Sequence, residues 1–343
     1  MKLSVLDQSP VPEGSTPADA LRNTIQLAQA ADLLGYERYW IAEHHAIETL
    51  ASPAPEILIA RVAAVTSRIR VGSGGILLPH YSPLKVAEVF RMLHALSPGR
   101  IDLGIGRAPG SGGLEAFALQ RDRSRRQQAS DFPDQLAELL SFLHHDFPPE
   151  HPFAAIKVSP DSPGVPDVWL LGSSAWSAEV AAKFGLPYAF AHFIGPEQTA
   201  AALALYRDNF KPSKYLSEPR AIVTLGAVCA DTAAEAERLS ASTKLLIRRI
   251  RLGGERKPVP TPEQALQELA GLGAGADPLT WDESEWPRYI VGDARKIHDT
   301  LEAMSRKLQV SEFMILTVIH DHQARMHSYK LLAESFGFVK GKL

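Results

Sequence analysis

The chain has 343 residues, of which 45% are hydrophobic and 22% charged, as in an ordinary globular protein. Its net charge of −3 gives no reason to expect nucleic acid as a partner, and no apolar run is long enough to span a bilayer. Because the N-terminus lacks a signal-peptide pattern and Cys229 is the one cysteine, we expect a cytoplasmic enzyme or binding protein.

Short apolar runs typical of strands alternate along the chain with amphipathic, helix-like patterns. We predict strands at 3–7, 39–42, 69–78, 100–106, 168–172, 188–193, 221–230 and 312–319. We predict helices at 16–35, 52–67, 82–97, 131–145, 174–185, 196–210, 232–251, 294–308 and 322–336. Eight strand–helix units with near-continuous apolar strands predict an α/β fold, a closed TIM (β/α)8 barrel with parallel strands.

Two segments depart from this alternation. Residues 107–125 are rich in Gly, Arg and Ser and are predicted to form a long loop. Residues 252–292, rich in Gly and Pro, are predicted to be an irregular insertion between strand seven and the last helix–strand unit. With these additions, we predict that residues 1–343 form a single domain.

In a barrel of this type, every strand ends at the same mouth, where the functional site lies. Polar and glycine residues follow the predicted strands at most of these ends. They are Asp7, Glu43-His44-His45, Gly74-Gly75, Gly106-Arg107, Ser173-Ser174, His192 and His320-Asp321-His322.

Glu43, His44 and His45 end an apolar strand in a row of three ionisable side chains. Neighbouring side chains of extended backbone alternate between faces, so one histidine can face the mouth while the other braces the wall. A purely structural histidine pair is the alternative. A metal site is not predicted, because the chain has no HExxH motif and no cysteine pair.

The run GIGRAPGSGG, which begins at Gly104, superficially resembles a dinucleotide-binding motif. The spacing of Gly104, Gly106 and Gly110 is off by one from that fingerprint, and Pro109 interrupts it. The same run supplies Arg107, a fixed positive charge suited to a phosphate.

The run LLGSSAWSAEVA carries a stronger signal for an anion site. An apolar strand ends at Gly172, and Ser173 and Ser174 lead into a helix that also contains Ser177. Backbone N–H groups and the partial positive charge of a helix N-terminus bind phosphates. Ordinary serine capping is the alternative. Arg107, from the neighbouring strand, favours the anion site.

The run GSGG ends predicted strand three almost without side chains. A flat ring could lie against Gly74 and Gly75, because glycine permits close approach to the backbone. A bulge or an exit turn is the alternative. After strand eight, Asp321 is predicted to cap the last helix.

Four runs together resemble the bacterial luciferase-like flavin monooxygenases. They are AEHH, VGSGGILLPHYSPLKVAEVFRMLHALSPGRIDLGIGRAPG, WLLGSSAWSAEVAAKFGLPYAFAHF and VGDARKIHDTLEAM. The likeness covers nearly the whole chain, and it is closest to a branch of small bacterial alkanal-monooxygenase-like proteins.

The resemblance implies a TIM barrel that binds reduced FMN at its mouth, with the histidine matching His44 facing flavin and substrate. It implies a cis peptide at Gly74-Gly75 beneath the flavin ring, and a phosphate held by Arg107, Ser174 and Ser177. The luciferase itself has a cysteine where this chain has Gly106 and a carboxylate where this chain has Ser173, which argues against light emission. The full set of predicted cofactor-binding residues is Gly74, Gly75, Gly106, Arg107, Gly172, Ser173, Ser174 and Ser177.

From this resemblance we predict an FMN-dependent monooxygenase that uses O2 to oxygenate a small organic substrate, such as an aldehyde. His44 is the predicted proton donor or acceptor, oriented by His45 and Glu43. A separate reductase is expected to supply reduced FMN, and a homodimer is expected from the family. The predicted lining of the substrate pocket is His80, Tyr81 and His192.

Three alternatives remain open at this stage. The first is an enzyme that uses the deazaflavin F420 for hydride transfer. The second is a flavin-binding protein without turnover. The third is a metal-dependent barrel hydrolase, which the missing ligand pattern disfavours.

Overall fold

The computed structural model describes residues 1–107, 113–119, 131–254, 257–273, 277–280 and 284–338. Its strands are β1 (Lys2–Asp7), β2 (Arg38–Ile41), β3 (Arg70–Ser73), β4 (Ile76–Leu77), β5 (Ile101–Gly106), β6 (Asp167–Gly172), β7 (Tyr188–Ala191), β8 (Ala221–Cys229), β9 (Tyr289–Gly292) and β10 (Glu312–Leu316). Its helices are α1 (Pro17–Leu34), α2 (Pro55–Val65), α3 (Pro83–Leu96), α4 (Gly113–Leu119), α5 (Phe132–His144), α6 (Ala175–Phe184), α7 (Thr199–Asp208), α8 (Ala233–Arg251), α9 (Pro262–Gly271), α10 (Ala294–Leu308) and α11 (His322–Ser335). None of these helices, within the described ranges, is both long and apolar enough to cross a membrane.

The strands close into a parallel barrel in the order β1-β2-β3-β5-β6-β7-β8-β10, and β10 returns to β1. The closure is direct, because Val223 of β8 pairs with Phe313 of β10, and Val5 of β1 pairs with Ile315. β4 continues the line of β3 and pairs with β5, and β9 pairs with the last residues of β8. The predicted TIM (β/α)8 barrel is confirmed.

Alternation along each strand separates an outer core from the barrel interior. On β5, Ile101, Leu103 and Ile105 are buried in the large core between strands and helices. Asp102 and Gly104 occupy the alternate positions and face the interior, as the period of two requires. The helices therefore pack on the outer faces, and the interior is left to a different set of side chains.

A buried ionic network fills the amino-terminal end of the barrel. The Arg38 guanidinium donates to Glu312 at 2.6 Å and to Asp102 at 2.7 Å, and all three side chains are at most 5% exposed. Arg70 adds a second cation on Asp102, and Trp40 Nε1 donates to the same carboxylate at 2.9 Å. Each buried charge has an opposite partner, which is the condition for tolerating it there.

Helix caps fix where several elements begin and end. The Thr16 side chain accepts from the backbone of Asp19 in a capping box, and Gly35 ends α1 in the left-handed region at φ 86°. The Asp321 carboxylate accepts from Ala324 N at 2.7 Å, so the predicted cap of the last helix is confirmed.

Three predicted boundaries need correction. Predicted strand three is divided into β3 and β4 at Gly74-Gly75, and Leu78–His80 is a 3-10 helix. The predicted loop 107–125 contains α4, while 108–112 and 120–125 lie outside the described residues. The predicted irregular insertion contains α9 and β9, because the Thr261-Pro262 start and a capping box stabilise a helix despite the glycines around it.

Candidate functional site

A cavity of about 340 Å³ opens at the carboxyl ends of the strands, and we call it the mouth cavity. Inward side chains of several strands form its floor, namely Leu6, Trp40, Leu171, Ala189, Thr224 and Met314. Its walls come from the segments that follow the strands. Trp40 packs edge-on against Trp169 at 5.5 Å between ring centroids, which separates this floor from the ionic network below.

One wall of the mouth cavity is backbone without side chains. The Gly74-Gly75 peptide is cis, as the resemblance implied, and both residues line the cavity. A Cβ at Gly74 would lie 2.5 Å from Leu6 Cδ1, and one at Gly75 would lie 2.7 Å from the oxygen of Gly104. Packing therefore favours glycine at both positions, and the missing side chains let a planar group approach the main chain closely.

Another part of the wall of the mouth cavity combines a helix N-terminus with a cation. Gly172, Ser173 and Ser174 lead from β6 into α6, and all three line the cavity. The Arg107 guanidinium, from the end of β5, lies 3.9 Å from the Trp176 ring centroid on the first turn of α6. The positive charge of Arg107 and the positive end of the α6 dipole thus lie at the same part of the wall, as an anion site requires.

Trp176 was not predicted from the sequence as a site residue. The signal was available, because an indole one turn into the helix is a platform on which a guanidinium stacks. The stacking fixes an arginine that is otherwise exposed. The Trp176 side chain also lines the mouth cavity.

The Ser177 hydroxyl lies at the cavity wall but is engaged inside the protein. Its Oγ donates to the Ser174 carbonyl at 2.7 Å and lies 2.9 Å from the Tyr188 hydroxyl. A Cβ at Gly172 would collide with this Oγ, so glycine is required there. Ser177 thus positions the start of α6, while Ser174 faces the cavity at the N-cap.

Of the three ionisable residues after β2, His44 lines the mouth cavity together with Glu43. His45 does not, and its Nε2 lies 2.7 Å from Glu43 Oε1. The buried Glu43 carboxylate also accepts from Leu77 N at 3.0 Å and from the Tyr81 hydroxyl at 2.9 Å. It therefore ties the segment after β2 to the end of β4 and to Tyr81 beyond it, which holds the backbone of His44 in place.

The predicted substrate-pocket residues lie elsewhere. Tyr81 is bound to Glu43, and burial with that carboxylate raises its pKa far above the usual value. The ring of His80 packs edge-on against His45 at 6.1 Å. Neither is among the residues that line the mouth cavity.

The prediction that His192 lines the pocket needs the clearest correction. The ring is fully buried, its Nδ1 lies 2.7 Å from Thr199 Oγ1, and its Nε2 lies 3.0 Å from the Pro287 carbonyl oxygen. Burial lowers the pKa of His192 to about 4, so the ring is neutral near pH 7. The chain turns directly after β7, and this turn directs the imidazole into the wall.

A second chamber of about 490 Å³ adjoins the mouth cavity. The two share four lining residues, which are Gln8, His44, Phe193 and Ile194. Its remaining walls come mainly from α8, from Val259 and from the end of β10. His44 therefore lines both spaces and stands where they adjoin.

A metal centre finds no support in the described part of the chain. No group of three or more His, Cys, Asp or Glu side chains is placed to hold an ion there. Cys229 is buried, and burial raises its thiol pKa to about 12.

Fold and site together define a (β/α)8 barrel with a cofactor-sized cavity at its carboxyl end. Residues 1–312 match the family model of the luciferase-like monooxygenases, and the chain belongs to that family.

Two curated relatives are similar over nearly their full length. The chain is 39% identical to a luciferase-like monooxygenase of Escherichia coli K12, over 96% of this chain and 95% of the relative. It is 36% identical to an N-acetyl-S-alkylcysteine monooxygenase of Bacillus subtilis, over 98% of each.

Among solved structures, apo-MsnO8 is 48% identical with a TM-score of 0.91, covering 98% of this chain and 99% of that one. Two more distant structures share the fold alone. The oxygenating constituent of 3,6-diketocamphane monooxygenase from Pseudomonas putida, in complex with FMN, has 20% identity, a TM-score of 0.72 and 98% coverage of both chains. An F420-dependent secondary alcohol dehydrogenase has 12% identity and a TM-score of 0.69, covering 97% of this chain and 98% of that one.

Proposed function

We propose that this protein is an FMN-dependent monooxygenase that inserts one atom of O2 into a small organic substrate. The observation that carries the proposal is the shape and charge of the mouth cavity. A side-chain-free wall at Gly74-Gly75 and an anion site at Arg107 and α6 line the same space. Family membership supports the reaction class.

The residues present fit a flavin mononucleotide. The glycine wall offers a flat surface to a tricyclic ring, because both residues line the cavity and neither carries a side chain. Arg107, the Ser174 N-cap and the first turn of α6 offer donors and positive charge to a phosphate. Riboflavin, which lacks the phosphate, would use only the glycine wall.

Bound FMN in its reduced form would supply the two electrons that send one oxygen atom to water while the other enters the substrate. The chain's own residues do the rest. His44, at the junction of the two spaces, donates or accepts the proton through a ring nitrogen, because an imidazole can act as a general acid or a general base. Glu43 and His45 act as positioning residues, and the apolar floor excludes water.

Two partners belong to the proposal. Reduced FMN comes from a separate reductase, because the glycine run after Gly104 lacks the spacing of a dinucleotide fingerprint. A homodimer is supported by exposed apolar side chains on two adjacent helices, namely Ile57 of α2 with Met92 and Leu96 of α3. Exposed apolar side chains on neighbouring helices can take part in an interface between two copies.

The test supplies purified protein with chemically reduced FMN, a panel of small substrates and 18O-labelled O2. The proposal expects O2 uptake and one labelled oxygen atom in the product. If the protein transfers hydride from reduced F420 and no labelled oxygen enters the product, the F420-dependent alternative replaces the monooxygenase proposal. Tight FMN binding without product from any substrate would favour a flavin-binding protein without turnover.

A further inference from the structure

Gln8, the first residue after β1, lines both the mouth cavity and the second chamber. The other residues shared by the two spaces are His44, Phe193 and Ile194, so Gln8 is the one carboxamide at the place where they adjoin. A carboxamide offers two N–H donors and one oxygen acceptor without carrying charge. The side chain is half-buried, and among the described residues no hydrogen bond engages its carboxamide. Its polar atoms are therefore available to a ligand.

The turn directly after Gln8 has a fixed backbone. Ser9 has a φ of 50°, in the left-handed region that residues other than glycine rarely adopt. The Asp7 carboxylate accepts from Ser9 N at 2.8 Å, and Ser9 Oγ lies 2.8 Å from Thr24 Oγ1. Asp7 is itself buried and paired with Arg325 at 2.7 Å. A conformation of this kind persists where its surroundings determine it, and it is frequent at ligand sites.

The segment after β2 is hydrogen-bonded to this turn. Ala51 N donates to the Ser9 carbonyl oxygen at 2.9 Å, and His44 N donates to the Ser52 carbonyl oxygen at 2.9 Å. The backbones of Gln8 and His44 are therefore held by two segments that are joined to each other.

The second chamber has one apolar helix face as its main wall. Thr243, Leu246, Ile247 and Ile250 of α8 line it, at the spacing that places residues on one side of a helix. The enclosure is completed by aliphatic side chains, among them Ile47, Leu50, Val259, Leu316 and Val318. Such a wall favours an apolar body, because its burial removes apolar surface from water.

The two arginines that line this chamber already have partners. Arg249 donates two hydrogen bonds to Glu268, at 2.5 and 2.9 Å. Arg288 Nη1 donates to the Phe193 carbonyl oxygen at 2.6 Å. A charged group on the substrate would have to compete with these contacts, and leaving a charge unpaired in an apolar space is costly. The lining therefore favours an uncharged molecule.

Resting on the proposed function, we propose that Gln8 binds the substrate, and that the substrate is an uncharged apolar molecule with a hydrogen-bond acceptor. The apolar body lies in the second chamber against α8. The Nε2–H group of Gln8 donates to the acceptor where the two spaces adjoin. This contact holds the molecule beside His44, the proposed proton donor or acceptor.

The experiment compares three probes with seven carbons, namely heptan-2-one, hept-1-ene and heptanoate. Each is titrated into the wild-type protein by calorimetry without any flavin, so the result does not depend on whether FMN binds. We expect the ketone to bind about three- to tenfold more tightly than the alkene, the size of one neutral hydrogen bond, and more tightly than heptanoate. Equal affinity for ketone and alkene, or a preference for heptanoate, overturns the proposal without touching the FMN proposal.

Variants then separate binding by Gln8 from a structural role. Gln8→Leu should remove the preference for the ketone and leave the affinity for the alkene unchanged. Gln8→Glu, which has the same shape without N–H donors, should also lose the preference. Equal weakening of ketone and alkene would make Gln8 a structural residue, and a preference that persists in a folded Gln8→Leu protein would contradict the assignment.

Two further variants complete the comparison. Gln29→Leu changes an exposed glutamine of α1 and should leave all three affinities unchanged. Ile247→Trp should weaken ketone and alkene alike, because the larger ring occupies the chamber. Unchanged binding of both probes to a folded Ile247→Trp protein would place the apolar body outside the second chamber and overturn that part of the proposal.

Discussion

The two ends of the barrel are built from the same strands but are filled in opposite ways. At the amino-terminal end, Arg38, Asp102 and Glu312 are buried and hydrogen-bonded to one another. At the carboxyl end, glycines leave a cavity, and the exposed Arg107 stacks on the Trp176 ring. The amino-terminal end of the barrel therefore contributes to stability, and the carboxyl end leaves room for a ligand.

The comparison predicts that changes at the mouth alter function more than stability. The largest effect is expected for His44→Ala, which should lower turnover about 10²- to 10⁴-fold, the usual contribution of a general acid or base. The variant should fold and bind FMN normally, because the predicted phosphate anchor is remote. Product and hydrogen peroxide are measured side by side, and peroxide should rise relative to product.

His45→Ala is the matched control for this variant. Its ring is bonded to Glu43 and does not line the mouth cavity, so its loss should lower turnover far less. Full coupled turnover in His44→Ala would remove that residue from the chemistry. An unfolded His44→Ala protein would favour a purely structural histidine.

At the other end of the barrel, Arg38→Met should damage stability and leave the mouth intact. Removing this cation leaves Glu312 buried with less compensation, and breaking a buried pair costs about 3–5 kcal/mol in the free energy of unfolding. Urea denaturation measures the loss, with Arg306→Met on the surface as the control, expected below about 1 kcal/mol. A loss equal to that of the control would mean that the network contributes little.

His192 gives a pH-dependent test of a wall residue. Its folded pKa of about 4 lies below the ordinary value of 6.5, so the unfolded chain binds a proton first as the pH falls. The free energy of unfolding is therefore highest above pH 6.5, and it falls by about 3 kcal/mol as the pH drops to about 4. His192→Gln should show a shallower decline in urea titrations over this range. Parallel curves for both proteins would contradict the buried neutral ring.

The smallest effect is expected at Ser174, which contributes one hydroxyl to the predicted phosphate site. Ser174→Ala should weaken FMN by roughly 0.5–1.5 kcal/mol, the net value of one hydrogen bond, and leave riboflavin unchanged. Ser335→Ala, on the remote α11, is the control in the same titrations. Equal weakening of both ligands would make Ser174 a structural cap.

Much of the fold could be predicted because its signals are local. α10 matches its predicted limits of 294–308, and Asp321 caps α11 as its position implied. Strand ends also predicted the glycines and Arg107 at one mouth, because parallel strands share a direction.

The remainder depends on contacts between distant segments. Nothing local shows that Glu43 reaches Tyr81 and Leu77, or that the turn after β7 directs His192 toward Pro287. The second chamber is formed by α8, Val259 and β10, which meet only in the folded barrel. The glycine-rich composition led us to miss α9, because a capping box at Thr261 stabilises the start of this helix despite the surrounding glycines.

We propose that the mouth cavity holds FMN by its phosphate, and a pair of titrations tests this binding. FMN and riboflavin are each titrated into the wild-type protein and Arg107→Ala, with flavin fluorescence as the readout. We expect FMN affinity to fall about tenfold or more in the variant, with riboflavin unchanged, because only FMN carries the phosphate. Unchanged FMN affinity, or equal weakening of both ligands, would contradict the site described at β5 and α6.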